Sequence, residues 1–505
     1  MTKIQQQKAQ VLLHISGAGD GQAFFIASVR GETGAAHAAD AAYSLIAEAL
    51  QERQMEIVHE RAFGSLEVEH IVKTVRKRVF QEHGIPHDTP VTYVQGNPPW
   101  GKGLAGVIIR AVACRERGDS IWTVKEKGIP SGRGWQRNGS RFLILQSVHG
   151  LKDDTTLLGT RSVQTQRMFE NAHRILMKQG ASYHDVLRTW IYISNIDEWY
   201  RKFNHARNYV YDKFGIMPSS EIPPSPSFDK GGQGGIFHNN NCFFPASTGI
   251  EGRTSSGAAC TMDLIAAITP HPNPLPQGER EKSTSPLLMG REQGERDKNI
   301  PPPLRVASGD SSALRRTRRG EPRRGGEQGE RDKNIPPPLR GGDKGEGVSK
   351  PLIRRLSNPC QAEAFHYYSA FSRGVLIQEP DVSIIQVSGT AAIDERGASL
   401  FPDGIHNQIT CTLDKIESLI SPEGANLKDI CAATVFVKQP EYAEVFHEVA
   451  ASRGLKELPY VCVVADICRE ELLFEMDAEA VVLRQESRVL RHSESAGAER
   501  GQGAK

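Results

Sequence analysis

Glu475 stands in the run LLFEMDAE. Read as a strand, the run alternates its side chains, with Leu473, Glu475 and Asp477 on one face and Leu472, Phe474 and Met476 on the other. A carboxyl in such apolar company holds its proton to higher pH, which suits a general acid working near neutrality. An edge-exposed carboxylate is the plainer alternative. Cys468 stands seven residues earlier, at the end of YVCVVADIC, where a lone cysteine reads first as a small buried hydrophobe. Other signals fail. GNPPWGKG (96–103) imitates a phosphate loop, but Gly103 replaces the hydroxyl that would hold magnesium, and Pro98 and Pro99 remove two N–H groups the cradle needs. His447-Glu448 begins no zinc-binding HExxH, because Val449, Ala450 and Ala451 follow. The 16 histidines show no ligand spacing, so no metal is expected.

The elements that must position Glu475 recur along the chain. VSIIQVSGTAAI reads as a strand, and 406–420 as a helix with Ile409, Leu413, Ile416 and Ile420 on one face. GANLKDI then enters the strand ATVFVKQP, a helix spans 441–453, and YVCVVADI and LLFEMDAEAVV close the unit. The middle of the chain repeats this order: RFLILQSVHG, a helix over 162–179, GASYHDV, the strand RTWIYISNI, a helix over 197–213, then FPASTGIEG and TMDLIAAI. The junctions Gly180–Val186 and Gly424–Ile430 each read as a glycine helix stop before a buried strand. A weaker third copy occupies the first 135 residues, with Gly84–Val91 standing where the others have their GA loop. The pattern predicts an α+β chain of three α/β units, each laying helices against a sheet.

Composition bounds the rest. The 505 residues carry 38% hydrophobic and 24% charged side chains and a formal charge of +2, without the basic excess of a dedicated nucleic-acid binder. No apolar run approaches a membrane span, and MTKIQQQKAQVLLHIS lacks the layout of a secretory signal. The eight cysteines include no CxxC, so reduced thiols in the cytoplasm are expected. Residues 269–350 contain no Phe, Trp or Tyr and 12 of the 29 prolines, and EQGERDKNIPPPLR occurs twice without change, at 292–305 and 327–340. Such a run cannot bury enough surface to offset its ordering entropy and is read as a disordered insert. A smaller one, PSSEIPPSPSFDKGGQGGIFHNNN, lies at 218–241. The large insert holds 17 Lys and Arg against 12 Asp and Glu, so the remaining sequence is slightly acidic. Any anionic substrate must be held by a few placed arginines.

The repeated order with GASYHDVLRTWIYISNIDEW resembles the Rid/YjgF (chorismate mutase-like) family of small homotrimers with sites at subunit interfaces. VTYVQGNPPWGKGLAG, FPASTGIEGR, RLSNPCQAEAFHYYSAFSRG, VSGTAAID, ATVFVKQPE and VVADICREELLFEMDAEAV resemble a larger relative, the chorismatases. The resemblance implies three Rid-like units in one chain, a monomer forming a pseudo-trimer. They are a divergent N-terminal unit (1–135), a middle unit (136–268) and a C-terminal catalytic unit (351–487) followed by a disordered tail (488–505).

It further implies a cofactor-independent enzyme converting chorismate to pyruvate and 3-hydroxybenzoate, with no nucleic-acid or membrane partner and with 4-hydroxybenzoate as a further product to consider. Glu475 takes the position of the family's catalytic Glu. The pair Gly374 and Cys468 matches the hydroxybenzoate-forming branch, whereas alanine at both marks the dihydrodiol-forming one. Two substrate carboxylates call for guanidinium forks, for which Arg253 in TGIEGR and Arg373 in SAFSRG are the candidates, with Tyr368 and Phe371 as ring walls. Rid imine hydrolases carry a substrate-binding Arg 15 residues before the Glu. Here that residue is Tyr460, and Ser247 follows Pro245-Ala246 in the middle unit. Both departures weaken the alternative of an enamine or imine hydrolase. A non-catalytic, decayed scaffold is the other alternative.

Overall fold

The computed structural model describes residues 3–19, 21–116, 118–137, 139–151, 159–217, 244–268, 351–367 and 369–484. The expected disordered segments, 218–241, 269–350 and 488–505, lie outside the described residues, as does Tyr368. The first unit comprises β1 (Lys3–Lys8), β2 (Val11–Gly17), β3 (Gln22–Val29), α1 (Ala35–Arg53), β4 (Glu56–Gly64), α2 (Glu69–Glu82), β5 (Thr92–Gln95) and β6 (Leu104–Val112). The second comprises β7 (Ser120–Glu126), β8 (Ile129–Arg137), β9 (Ser140–His149), α3 (Arg161–Lys178), β10 (Val186–Ile193), α4 (Ile196–Lys213), β11 (Ala246–Glu251) and β12 (Cys260–Ile268). The third comprises β13 (Leu352–Leu356), β14 (Gly374–Gln378), β15 (Val382–Ala391), α5 (Ile405–Ile420), β16 (Ile430–Val437), α6 (Tyr442–Ser452), β17 (Tyr460–Val464) and β18 (Phe474–Leu483).

Each unit is a six-stranded sheet of the same order, first-second-third-sixth-fourth-fifth. The fourth and fifth strands pair in parallel through a helical crossover, and the other neighbours are antiparallel. Three α+β units in one chain are therefore present. Two expectations need correction. Each unit opens with a hairpin that the apolar pattern misses, so its order is β-β-β-α-β-α-β-β. The expected boundary at 135/136 falls inside β8, which pairs with β9 in the second sheet; the first sheet ends at Val112.

Local chemistry sets the shared turns. Gly180 and Gly424 both adopt φ of 78°, a left-handed stop that costs glycine nothing. Behind them Ser182 and Asn426 form matching capping boxes with Asp185 and Asp429. In the first unit the corresponding stop is Gln54, at φ 54°, and not Gly84–Val91, which follows the second helix. A side chain in the left-handed region hid that junction.

Strands such as β3, β6, β10, β12 and β16 are buried on both faces, which is why they read as largely apolar runs. Helices cover the outer faces over separate cores, such as the one joining Ile409, Leu413, Ile416, Phe446, Phe474 and Met476. The inner faces of all three sheets share one further core, which includes Phe63, Trp190, Tyr192, Phe436 and Val461.

Candidate active site

The polar groups of this shared core follow a common register. A bulge marks the fourth strand of each unit, between Ile57 and His59, Val186 and Arg188, and Ile430 and Ala432. Counting from it, Gly106, Thr261 and Glu475 are equivalent on the sixth strands, each opposite an aromatic residue: Phe63, Tyr192 or Phe436. Ile108, Asp263 and Asp477 are equivalent next, and Thr92, Thr248 and Val461 on the fifth strands. Three interfaces of one design thus carry three different sets of side chains, and a carboxyl occupies the first position only in Glu475.

At the second–third boundary, Thr248 Oγ1 donates to Asp477 Oδ2 at 2.8 Å. Arg188 Nη2 donates to Thr248 Oγ1 at 2.6 Å and to Asp477 Oδ2 at 3.2 Å. The Gly389 amide donates to Thr248 Oγ1 at 3.1 Å. At the first–second boundary Thr92 Oγ1 donates to Asp263 Oδ1 at 2.7 Å, while His59 Nε2 lies 2.9 Å from Asp263 Oδ2. At the first–third boundary the equivalent residues, Ile108, Val461 and Ala432, are apolar and join the core.

Glu475 is 5% exposed on the inner face, as its alternation predicts, with Phe474 and Met476 in the helix-side core. Among the described residues its carboxyl has no hydrogen-bond partner. Burial, reinforced by the negative charge of Asp477, pushes its pKa up to about 8, against the pull of Arg188 and Arg373. The carboxyl lies over Gly389. A Cβ there would stand 2.1 Å from Glu475 Oε1 and 3.2 Å from Thr248 Cγ2, so only glycine leaves the acid in place.

The other expected residues are placed as follows. Cys468 is half-buried against both the shared core and the core of the second unit. Burial and then the neighbouring Glu475 push its thiol up to about 12, so it is neutral and no nucleophile. Arg373 is 2% exposed; its Nε donates to Ala362 O at 2.8 Å, and its charge acts on both Glu475 and Cys468. Phe371 lies 5.4 Å from the Arg373 guanidinium and 5.7 Å from that of Arg207, measured to the ring centroid. A side chain at Gly374 would meet Gln386 O at 3.0 Å and Leu419 Cδ2 at 3.2 Å, in the helix-side packing and not in front of Glu475. Arg253 is not brought to the site. Its side chain is 49% exposed, bonded to Asn195 Oδ1 at 2.9 Å and 3.6 Å from Glu251. The motif preceding it ends a strand at the surface, and the turn carries the guanidinium outward.

Arg188, Thr248, Gly389 and Arg207 escaped the sequence reading. Burial lowers the Arg188 pKa to about 10, and its Nε and Nη1 have no hydrogen-bond partner among the described residues. The signal for Arg188 was a charged residue opening the otherwise apolar strand RTWIYISNI. That for Asp477 was the Met-Asp pair shared by TMDLIAAI and EMDAEAVV.

Residues 363–482 match the family model described as Endoribonuclease L-PSP. That match lies within the third unit. The first two units repeat its strand order. No curated protein matches the chain in sequence. Among solved structures, a chorismatase is 15% identical, with 84% of this chain and 93% of that chain covered at a TM-score of 0.47. A putative endoribonuclease from Thermotoga maritima is 21% identical over 26% of this chain and 97% of its own, at 0.22. A member of the YjgF family from Mycobacterium tuberculosis is 23% identical over 26% of this chain and 100% of its own, at 0.21. Among the described residues, no helix is long and apolar enough to cross a membrane.

Proposed function

We propose that the chain is a chorismatase that converts chorismate to pyruvate and 3-hydroxybenzoate at the boundary of its second and third units. The observation that carries the reading is the buried Glu475 carboxyl, protonated at neutral pH and set among motifs that resemble the chorismatases. Neutral Glu475 protonates the methylene carbon of the enolpyruvyl ether, leaving an oxocarbenium centre. The ether C–O bond to the ring then breaks with help from the ring hydroxyl, and loss of a ring proton on aromatisation returns a proton to the site. The two products together contain every atom of chorismate, so no water is consumed. Arg373, together with Arg188 and Arg207, supplies the positive charge for the two substrate carboxylates. Proximity and exclusion of water do much of the remainder.

The test is purified protein with chorismate, followed by chromatography of the products. Pyruvate and 3-hydroxybenzoate in equal amounts support the reading, and absence of both refutes it. Release of ammonia from 2-aminoacrylate would instead favour imine hydrolysis, a reading disfavoured by Tyr460 and Ser247 at the fifth-strand positions.

A further inference from the structure

Glu475 and Asp477 lie two residues apart on β18, about 7 Å along the strand, and both project onto the inner face, where they are 5% and 2% exposed. Their surroundings treat them oppositely. Asp477 Oδ2 accepts from Thr248 Oγ1 at 2.8 Å and from Arg188 Nη2 at 3.2 Å, and its Oδ1 accepts from the Thr434 amide at 3.2 Å. Every one of these partners donates, which fits a carboxylate with no proton of its own. Glu475 receives no hydrogen bond among the described residues. Two carboxyl groups in one site whose environments pull their proton affinities apart divide the work between them.

The charges that act on Glu475 come from three elements: Asp477 on its own strand, Arg188 on β10 and Arg373 just before β14. The neutral Cys468 thiol follows β17, and the cross-strand neighbours on β15 and β16 are Ala391 and Phe436, which carry no charge. Asp477 is the negative member of this set, and both units fix it in place, the second through Thr248 and Arg188 and the third through Thr434. At the first–second boundary Asp263 is its equivalent, but Thr261 takes the place of Glu475, so that carboxylate has no acid to act on. At the first–third boundary Ile108 and Gly106 stand at the two positions. The paired carboxyls thus occur at the boundary that holds the proposed acid and at neither of its counterparts.

We propose that Asp477 is a positioning residue whose fixed negative charge keeps the proton on the Glu475 carboxyl. The inference deepens the acid role given to Glu475 and rests on it, but its test needs no substrate. The infrared carbonyl band of the protonated acid is followed against pH in the full chain and assigned by its loss in Glu475→Gln. In wild type the band should fade as pH rises through about 8. Asp477→Asn should lower that midpoint by about one pH unit or more, roughly tenfold in proton affinity, and Asp263→Asn should leave it unchanged. A purely structural role would change the melt of Asp477→Asn and not the midpoint. Thermal melts check that each variant folds. Should Asp477→Asn fail to fold, the double variant Arg188→Gln with Asp477→Asn removes both charges together and strands neither. It should titrate below Arg188→Gln alone by a similar margin. An unchanged midpoint in Asp477→Asn, or in the double variant relative to Arg188→Gln, overturns the proposal and leaves the acid role standing. An equal fall in Asp263→Asn also overturns it, because the effect would not be local. A neutral-pH spectrum with no band lost in Glu475→Gln overturns the proposal and the acid role together. Absence of chorismate products with the band and its shift intact refutes the reaction alone.

Discussion

Thr248 donates a 2.8 Å hydrogen bond to Asp477 across the boundary of the second and third units, in the same register in which Thr92 donates one of 2.7 Å to Asp263 across the first and second. One buried Thr–Asp pair thus lies beside the proposed acid and its twin beside none, a control built into the chain. Removing either hydroxyl leaves a buried carboxylate short of a partner, at a cost of about 1–3 kcal/mol. Thr248→Val and Thr92→Val are therefore both expected to lower stability in urea unfolding. Only Thr248→Val should also slow turnover, by about tenfold, the equivalent of ~1.4 kcal/mol in the barrier. Equal slowing by both would contradict the assignment of the reaction to the second–third boundary.

Gly389→Ala tests the position of the acid. A methyl group 2.1 Å from Glu475 Oε1 must displace the carboxyl. A displacement of about 1 Å is expected to cost on the order of 100-fold in turnover. Wild-type kinetics in this variant would show that Glu475 does not act from the place described.

The pH profile follows from the state of Glu475. The protonated form is the active one, so turnover is expected to be level through neutrality and to fall as pH rises through about 8. The same shift bears on stability. The folded value lies above the ordinary 4.5, so the folded state holds the proton more tightly, and this contribution is complete at acid pH and lost as pH climbs to about 8. Glu475→Gln should accordingly melt higher than wild type at pH 9 and close to it at pH 4. A turnover profile rising through pH 8 would contradict the acid role.

Cys468 is a neutral thiol, so its effect must be one of shape and polarity at the ring. Cys468→Ala is expected to shift the product from 3-hydroxybenzoate towards the dihydrodiol, read by chromatography. An unchanged product would remove Cys468 as the selector.

The helices and central strands were legible because each is buried on a regular period. The opening hairpins were not. KIQQQK in β1 carries only Ile4 as an apolar residue. The β8 run IPSGRGWQR resembles a loop because its glycines make room for neighbours: a Cβ at Gly134 would stand 2.2 Å from the Trp122 ring, and one at Gly132 2.0 Å from Ile144 O. Glu475 was legible from alternation within its own strand. Arg188 and Thr248 were not, because they reach Asp477 across a boundary between units that no local spacing encodes. Arg253 was misplaced for the same reason: a motif fixes neighbours along the chain, not the direction in which the turn after a strand sends its side chain.

The most direct test of the central claim is the rate of pyruvate release from chorismate by wild type and by Glu475→Gln, measured side by side at pH 7. Loss of a general acid is expected to slow the reaction roughly 100- to 10,000-fold, with the variant folded as judged by its melt. A variant that releases pyruvate at the wild-type rate would contradict the account.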